Sequence, residues 1–367
     1  MRIRAGVMSK AAGMGLAGRR GGWVDVAAPA GWGWSLPVTL QRMGSAFRAK
    51  GFDVASLKPA ATKTYYVSKD GNDGNSGADW ANAKRNIHAL WALGDYDRII
   101  IGPGVYDRTD GWQGLDCTRS CAIIGEGDVA ITAHQPGLSW ALTAAQTYTY
   151  QTTRASSQWI FDRAVLDGKS NYTRYALKTS IAEVEASAGS FWISGSTVYV
   201  HTVNNRAPDA DILVMLNAYN GDCLGNITVY MENIKFYGGS TTFRHQSNAT
   251  EQTPKLYLKH CQFKYSGSSN GLSLLGISEA ILVDCLADGN FLDGFNYHAQ
   301  NSILPKAIEI LCVGRNNGKA GDADNGSRIH DGGSIVRLMG DYHGNLGPNL
   351  VESAALESWN LGCKAHE

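Results

Sequence analysis

What this sequence lacks narrows its class before any motif is considered. It has no charge imbalance: lysine plus arginine and aspartate plus glutamate both number 33. The basic excess of a nucleic-acid-binding chain is therefore missing. Charge of either sign is sparse, at 18% of residues, so little of the chain reads as a solvated, charged tail. No stretch approaches the roughly 20 apolar residues of a membrane-spanning helix. The basic, Gly/Ala-rich opening, with Arg2, Arg4, Lys10, Arg19 and Arg20, leads into no apolar run of secretory-signal length. The expectation is no nucleic acid, no membrane insertion and no export by the secretory route. Sustained apolar spacing of three and four residues is also absent, which excludes folds that place a helix between successive strands. Cys117 and Cys121 have no second Cys or His pair at zinc-ligand spacing, so they read as a bridge or as two free thiols, with no metal assigned. The odd count of seven cysteines fits assembly in a reducing compartment.

Against these absences stands a repeat. The segments starting at Val229, Leu256, Ala280, Ala307 and Ser334 are each a short run of alternating apolar residues. They align so that Ile234, Cys261, Cys285, Cys312 and Gly340 share a column, at steps of 27, 24, 27 and 28 residues. A period in the twenties with one short strand per pass is the mark of a solenoid. A lone rung cannot bury its inward row; stacked parallel rungs can. The cysteine column then becomes a ladder of small buried side chains. Asp288-Gly-Asn, Asn316-Asn-Gly, Asp331-Gly-Gly and Gly344-Asn supply residues that tolerate sharp, left-handed corners.

Along the chain, residues 1–61 differ in composition from the rest and read as an attachment or linker segment. Within them Pro37 to Lys50 reads as a short helix, with Leu40, Met43 and Phe47 forming one apolar stripe. That stripe, with Trp32 and Trp34, either packs against the main body or docks on a partner. Residues 62–367 read as the solenoid. The run Ala81 to Trp91, with Ile87, Leu90 and Trp91 on one face, is the candidate helix capping the first rung.

Three groups of residues carry a family resemblance. The strand and loop Thr64-Tyr-Tyr-Val67 through Asp70-Gly-Asn72 and Gly77, then Gly104-Val-Tyr106, resemble the opening of the right-handed parallel β-helix proteins of the pectate-lyase-like superfamily. Val165-Leu-Asp167-Gly168 and Thr197-Val-Tyr199-Val-His201 resemble the small sheet inserted in many carbohydrate-active members, which implies a β-rich insertion over residues 132–215. Ser327-Arg-Ile-His330-Asp331 and Tyr342-His-Gly-Asn345 resemble rungs of phage tail-spike and tail-fibre β-helices. The resemblance implies an all-β, right-handed parallel β-helix with an N-terminal capping helix. It further implies a bacteriophage virion protein presenting that helix to bacterial surface polysaccharide. Other virion proteins would be contacted through residues 1–61, the chain would self-associate as a trimer, and it would act outside the cell after lysis. Two alternatives stay open: a polysaccharide depolymerase, or a purely structural particle component.

For catalysis, side chains on neighbouring rungs converge although they are distant in sequence. Asp322, Asp324, His330 and Asp331 form the candidate catalytic group. Asp293, His298, Arg337, Asp341 and His343 are candidate substrate contacts. Glycoside hydrolysis needs two carboxyl groups about 5–10 Å apart, a separation that adjacent rungs supply. A lyase needs a base and a neutraliser of the sugar carboxylate, for which His330 and Arg337 are the candidates. The competing reading is that these aspartates cap turns. No cofactor is expected. Calcium would find oxygen ligands in the Asp322 to Asn325 run, which lacks the glutamate that closes an EF-hand loop.

Overall fold

The computed structural model describes residues 22–110, 112, 114–154, 157–319 and 324–366; Asp322 lies outside these. From Thr64 onward the chain coils into a parallel β-helix of about ten turns. Strands of successive turns pair in parallel, so equivalent residues stand in vertical columns. On the first face one inward column runs Leu256, Ala280, Ala307, Ile335 and Ser358. The next inward column runs Met231, Leu258, Leu282, Glu309, Arg337 and Asn360.

The first corner of each turn is a single residue in the left-handed region. Asn233, His260, Asp284, Leu311 and Met339 occupy it with φ of 58°, 53°, 52°, 55° and 54°. Directly after this corner comes the expected ladder. Cys261, Cys285 and Cys312 are buried in the tube, and Cys285 touches both of its neighbours. Amides of the next rung, on Leu286, Val313 and Asp341, donate to the three cysteine carbonyls at 2.9 Å. All seven cysteines are free thiols. A second ladder holds the following corner. Asn290 Nδ2 donates to Asn317 Oδ1 and Asn317 Nδ2 to Asn345 Oδ1, each at 2.9 Å. These amides also donate to the carbonyls of Phe263 and Ala287 inside the turn, so buried backbone groups at a sharp bend are satisfied by side chains.

Two additions cover parts of the tube. The segment before Thr64 lies over the first face, where Trp34, Val38, Leu40 and Val54 pack on Tyr230, Tyr257, Ile281, Ile308, Val336 and Leu338. The helix expected over Pro37–Lys50 is instead a hairpin of Leu40–Met43 and Ala46–Ala49. Gly44, at φ 63°, opens its two-residue turn, a turn geometry that glycine favours. Alternation then points Leu40 at the solenoid and leaves Met43 41% exposed. Trp32 packs on Trp359 with ring centroids 6.0 Å apart, and Phe47 joins the same apolar layer. The contacts of Trp32, Trp34, Leu40 and Phe47 thus lie within the chain itself. At the first rung, the cap is one helical turn, His88–Trp91, rather than a helix from Ala81. Before it, Lys84 Nζ bonds the carbonyls of Asp73 and Asn75, and the Asp73 carboxyl accepts from the amides of Arg85 and Asn86. These side-chain bonds hold a loop where propensity favours helix, while Ile87, Leu90 and Tyr96 still close the core.

Between the rung strands Cys121–Ala133 and Thr228–Gly238, which pair directly, the chain makes a long excursion. It forms a three-stranded and a five-stranded sheet, packed around Ile160, Tyr175, Phe191, Val198, Val200 and Val214. Asp162, buried there, accepts from Tyr175 Oη at 2.9 Å and Arg206 at 2.7 Å.

Candidate functional site

The excursion turns a flat β-helix face into a groove. On the second face the outward column runs Thr132, Tyr237, Lys264, Asp288, Arg315, His343 and His366. Period-two alternation places all seven outside the tube. Asp288 ties the excursion to this column. Its buried carboxylate meets Lys264 at 3.3 Å and Arg315 at 3.0 Å, and accepts from Asn171 of the excursion at 2.7 Å and Asn316 at 2.9 Å. Burial opposes its charge, but Lys264 and the two amides outweigh that and hold its pKa below the usual carboxylate range.

Three adjoining pockets follow this seam. One of about 360 Å³ is lined by Asp107, His134, Trp140, Arg163 and Asp209. One of about 220 Å³ is lined by Asp167, Lys169, Tyr172, Arg174, Tyr265 and Asn316. A smaller space of about 70 Å³ shares His134 and Arg163 with the first and Tyr172 and Tyr265 with the second. Tyr172 and Tyr265 stack at 4.5 Å, and Tyr237 meets Tyr265 edge-on at 5.7 Å. Burial lowers the pKa of His134, keeping it neutral near pH 7. The groove therefore combines aromatic rings with guanidinium, ammonium and carboxylate groups along a concave path, the makeup of a ligand site.

A second constellation stands on the third face. Its outward columns bring Asn296 beside Arg328 and His298 beside His330. The His298 and His330 rings stack at 3.8 Å. His298 Nδ1 bonds Asp331 at 3.0 Å, and this bond lowers the Asp331 pKa. Asp293 is 4% exposed and accepts from Asn296 Nδ2 at 2.6 Å and from the Asn325 amide at 2.8 Å. Burial nonetheless pushes its pKa up. His330 is pulled down to about 4 by burial and by neighbouring His298. Two carboxyl groups, Asp293 and Asp331, thus have their pKa values driven in opposite directions.

Of the residues expected at a site, the structure gathers Asp293, His298, His330 and Asp331 here. Asp324 is buried close by, with its carboxyl accepting from the Lys319 amide at 3.3 Å, and Asp293 senses its charge. Arg337 is not on the outer face. It is wholly enclosed in the tube, because its position on Ser334–Leu338 shares the inward side with Ile335. Asp341 and His343 lie on the second face, away from the cluster. Sequence reasoning missed Asn296 and Arg328, and missed the groove entirely. The available signal was the run of outward aromatic positions, Tyr172, Tyr237 and Tyr265, which is indistinguishable from packing until the excursion is docked.

No family model matches the chain, and no curated protein does. Solved structures do. A glycoside hydrolase aligns at 10% identity over 77% of this chain and 79% of its own, with a TM-score of 0.54. The fold is that of the parallel β-helix proteins. XylC in complex with xylose aligns at 8% identity over 80% and 67%, with a TM-score of 0.42. The tailspike protein gp49 from Pseudomonas phage LKA1 aligns at 12% identity over 72% and 54%, with a TM-score of 0.26. At these identities the likeness is one of fold alone.

Proposed function

We propose that this chain is a polysaccharide-binding β-helix whose groove beneath the excursion holds a run of sugar rings. The observation that carries this reading is the set of adjoining pockets walled by Trp140, Tyr172 and Tyr265 and edged by Arg163, Lys169 and Arg174. Rings offer flat apolar faces to the C–H sides of sugars, and the cations suit acidic glycans such as bacterial surface polysaccharides. Purified protein is screened on arrayed bacterial polysaccharides. The expected result is retention of an acidic glycan, weakened by Trp140→Ala and by Lys169→Ala in variants that keep the wild-type melting temperature. Binding unaffected by both substitutions removes the groove from the reading.

A depolymerase activity is the second reading, favoured by the opposed pKa shifts of Asp293 and Asp331. One carboxyl with a raised pKa and another with a lowered pKa is the division of labour that glycoside hydrolysis uses. New reducing ends that disappear in both Asp293→Asn and Asp331→Asn support it, and full turnover in either variant refutes it. An unsaturated, ultraviolet-absorbing product signifies elimination instead. We further propose a place in a phage particle as a homotrimer, displayed outside the host after lysis and attached through residues 1–61; its absence from purified virions, or a monomeric mass in solution, overturns this.

A further inference from the structure

We propose that Asp341, His343 and His366 form a site for a divalent transition metal ion, zinc being the best match, which pins the last two rungs together. These three residues continue the outward column of the groove but line none of its three pockets, and they lie on a different face from the Asp293 cluster. The placement follows from β-geometry. Asp341 and His343 are two apart on the strand Asp341–His343, so both point outward while Tyr342 points into the core. His366 stands in parallel register directly over His343. Their rings are coparallel, 3° apart in plane with centroids at 4.9 Å.

The donor atoms already converge on one oxygen. His343 Nδ1 lies 3.2 Å and His366 Nε2 3.1 Å from Asp341 Oδ1. All three donors lie within 4.8 Å of one another. Zinc bonds of about 2.0–2.2 Å in a tetrahedron set donor atoms about 3.3 Å apart. Two of the three edges thus have nearly that length; the rings are stacked, with in-plane lone pairs running along parallel planes, so one imidazole turns out of the stack for both to meet a single ion. Two imidazoles and a carboxylate are a zinc donor set, and the exposure of His366 leaves the fourth position to water. On binding, the metal replaces the protons now shared between each imidazole and the carboxylate, so both ligating nitrogens must be deprotonated. The neighbouring cations are Lys364, in register with Asp341, Arg315, in register with His343 and bonded to Asp288, and Lys169, whose ammonium donates to the Gly344 carbonyl beside His343. The ligands come from two rungs, so an ion held there ties the outermost strand to the one below it, and an ion that binds the folded state stabilises it.

The test uses the full chain, stripped with chelator and titrated with zinc by calorimetry and with cobalt by visible absorption. The expected result is a single zinc ion per chain, the intense visible bands of tetrahedral cobalt, and a rise in melting temperature on adding zinc. His343→Ala and His366→Ala are each expected to weaken zinc binding by at least about tenfold and to abolish the rise. His260→Ala, which lies outside both histidine clusters and pairs with Asp284, leaves all three readouts unchanged. Absence of zinc binding to the wild-type chain overturns the proposal. So does binding that persists in His343→Ala and His366→Ala, or that is lost in His260→Ala. Melting in chelator shows independently that each variant is folded.

Discussion

The lower and upper rungs of one tube solve the same problem with opposite chemistry. In the lower rungs the second inward column is Met231, Leu258 and Leu282; in the upper ones it is Glu309, Arg337 and Asn360. The Glu309 carboxyl accepts from Tyr297 Oη at 2.8 Å, from Ser327 Oγ at 2.7 Å and from Tyr342 Oη. Arg337 donates to the same Ser327 hydroxyl at 2.9 Å and to Glu352 at 2.6 Å. The corner column switches the other way, from Asn233, His260 and Asp284 to Leu311 and Met339. Both switches have a local cause. Glu309 and Arg337 are wholly buried, and their charges are matched there by Tyr297, Ser327, Tyr342 and Glu352, so the polar groups of this core stand as a closed hydrogen-bonded network. Over the upper corners lie Phe47 and Phe52 of the N-terminal segment, which share a pocket wall with Leu311 and Met339. A repeat therefore fixes which positions face inward, whereas the neighbours decide how polar each one is.

The largest effect expected from breaking this contrast is at Arg337. Arg337→Met leaves Glu309 buried without its guanidinium, an imbalance that costs about 3–5 kcal/mol; chemical denaturation measures it. Adding Glu309→Leu to the variant is expected to recover part of the loss, since two apolar residues extend the lower rungs' solution upward. Equal stability of Arg337→Met and wild type contradicts a charged upper core.

Next is a pH effect seated in the lower tube. His245 is buried, with Cys223 and Leu274 as its register neighbours. Burial lowers its pKa from 6.5 to about 4. The unfolded chain therefore binds a proton first as pH falls. Stability is full above about pH 6.5, declines through the window, and levels off below pH 4 after a loss of roughly 3 kcal/mol. Thermal melts across this range are expected to show a shallower acid decline in His245→Leu, with the shift of His330 left in place. An unaltered pH profile locates the acid sensitivity elsewhere.

Asn317→Ala tests the ladder that crosses from lower to upper rungs. It leaves the Ala287 carbonyl and part of Asn290 and Asn345 unpaired, a loss of about 2 kcal/mol readable by urea denaturation. The smallest effect expected is at the corner. Leu311→Asn restores the polar type of Asp284 at a left-handed position and is expected to stabilise by under about 1 kcal/mol, seen as a slight rise in melting temperature. A clear fall shows that the contact with Phe47 and Phe52 outweighs backbone strain.

The legible part of the fold was what a period exposes. Cys261, Cys285 and Cys312 announced their stacking because an inward column tolerates little variation in size. The excursion was visible only through the resemblance of Val165–Gly168 and Thr197–His201 to inserted strands, and the cap through the apolar face of Ile87, Leu90 and Trp91, of which one turn, His88–Trp91, is helical. Pro37–Lys50 was misjudged because residues at three- and four-residue spacing also alternate in a hairpin once Gly44 makes the turn. At the candidate cluster, Asp293, His298, His330 and Asp331 were visible as polar residues about one rung apart. Arg337 was not legible as an inward residue because a charged side chain on a strand reads as solvent-facing; Ile335 stands over Ala307 and Arg337 over Glu309, so both face the core.

Sequence alone determined the stacking of this protein, because only parallel coils can bury a row of alternating apolar residues that returns every twenty-odd positions. Tertiary structure alone decided where a ligand can lie. The groove has one wall from the β-helix and another from residues as far as 175 positions away, and no local pattern records how two such surfaces meet. The same holds for Asp341, His343 and His366, whose convergence depends on the register of one strand over another.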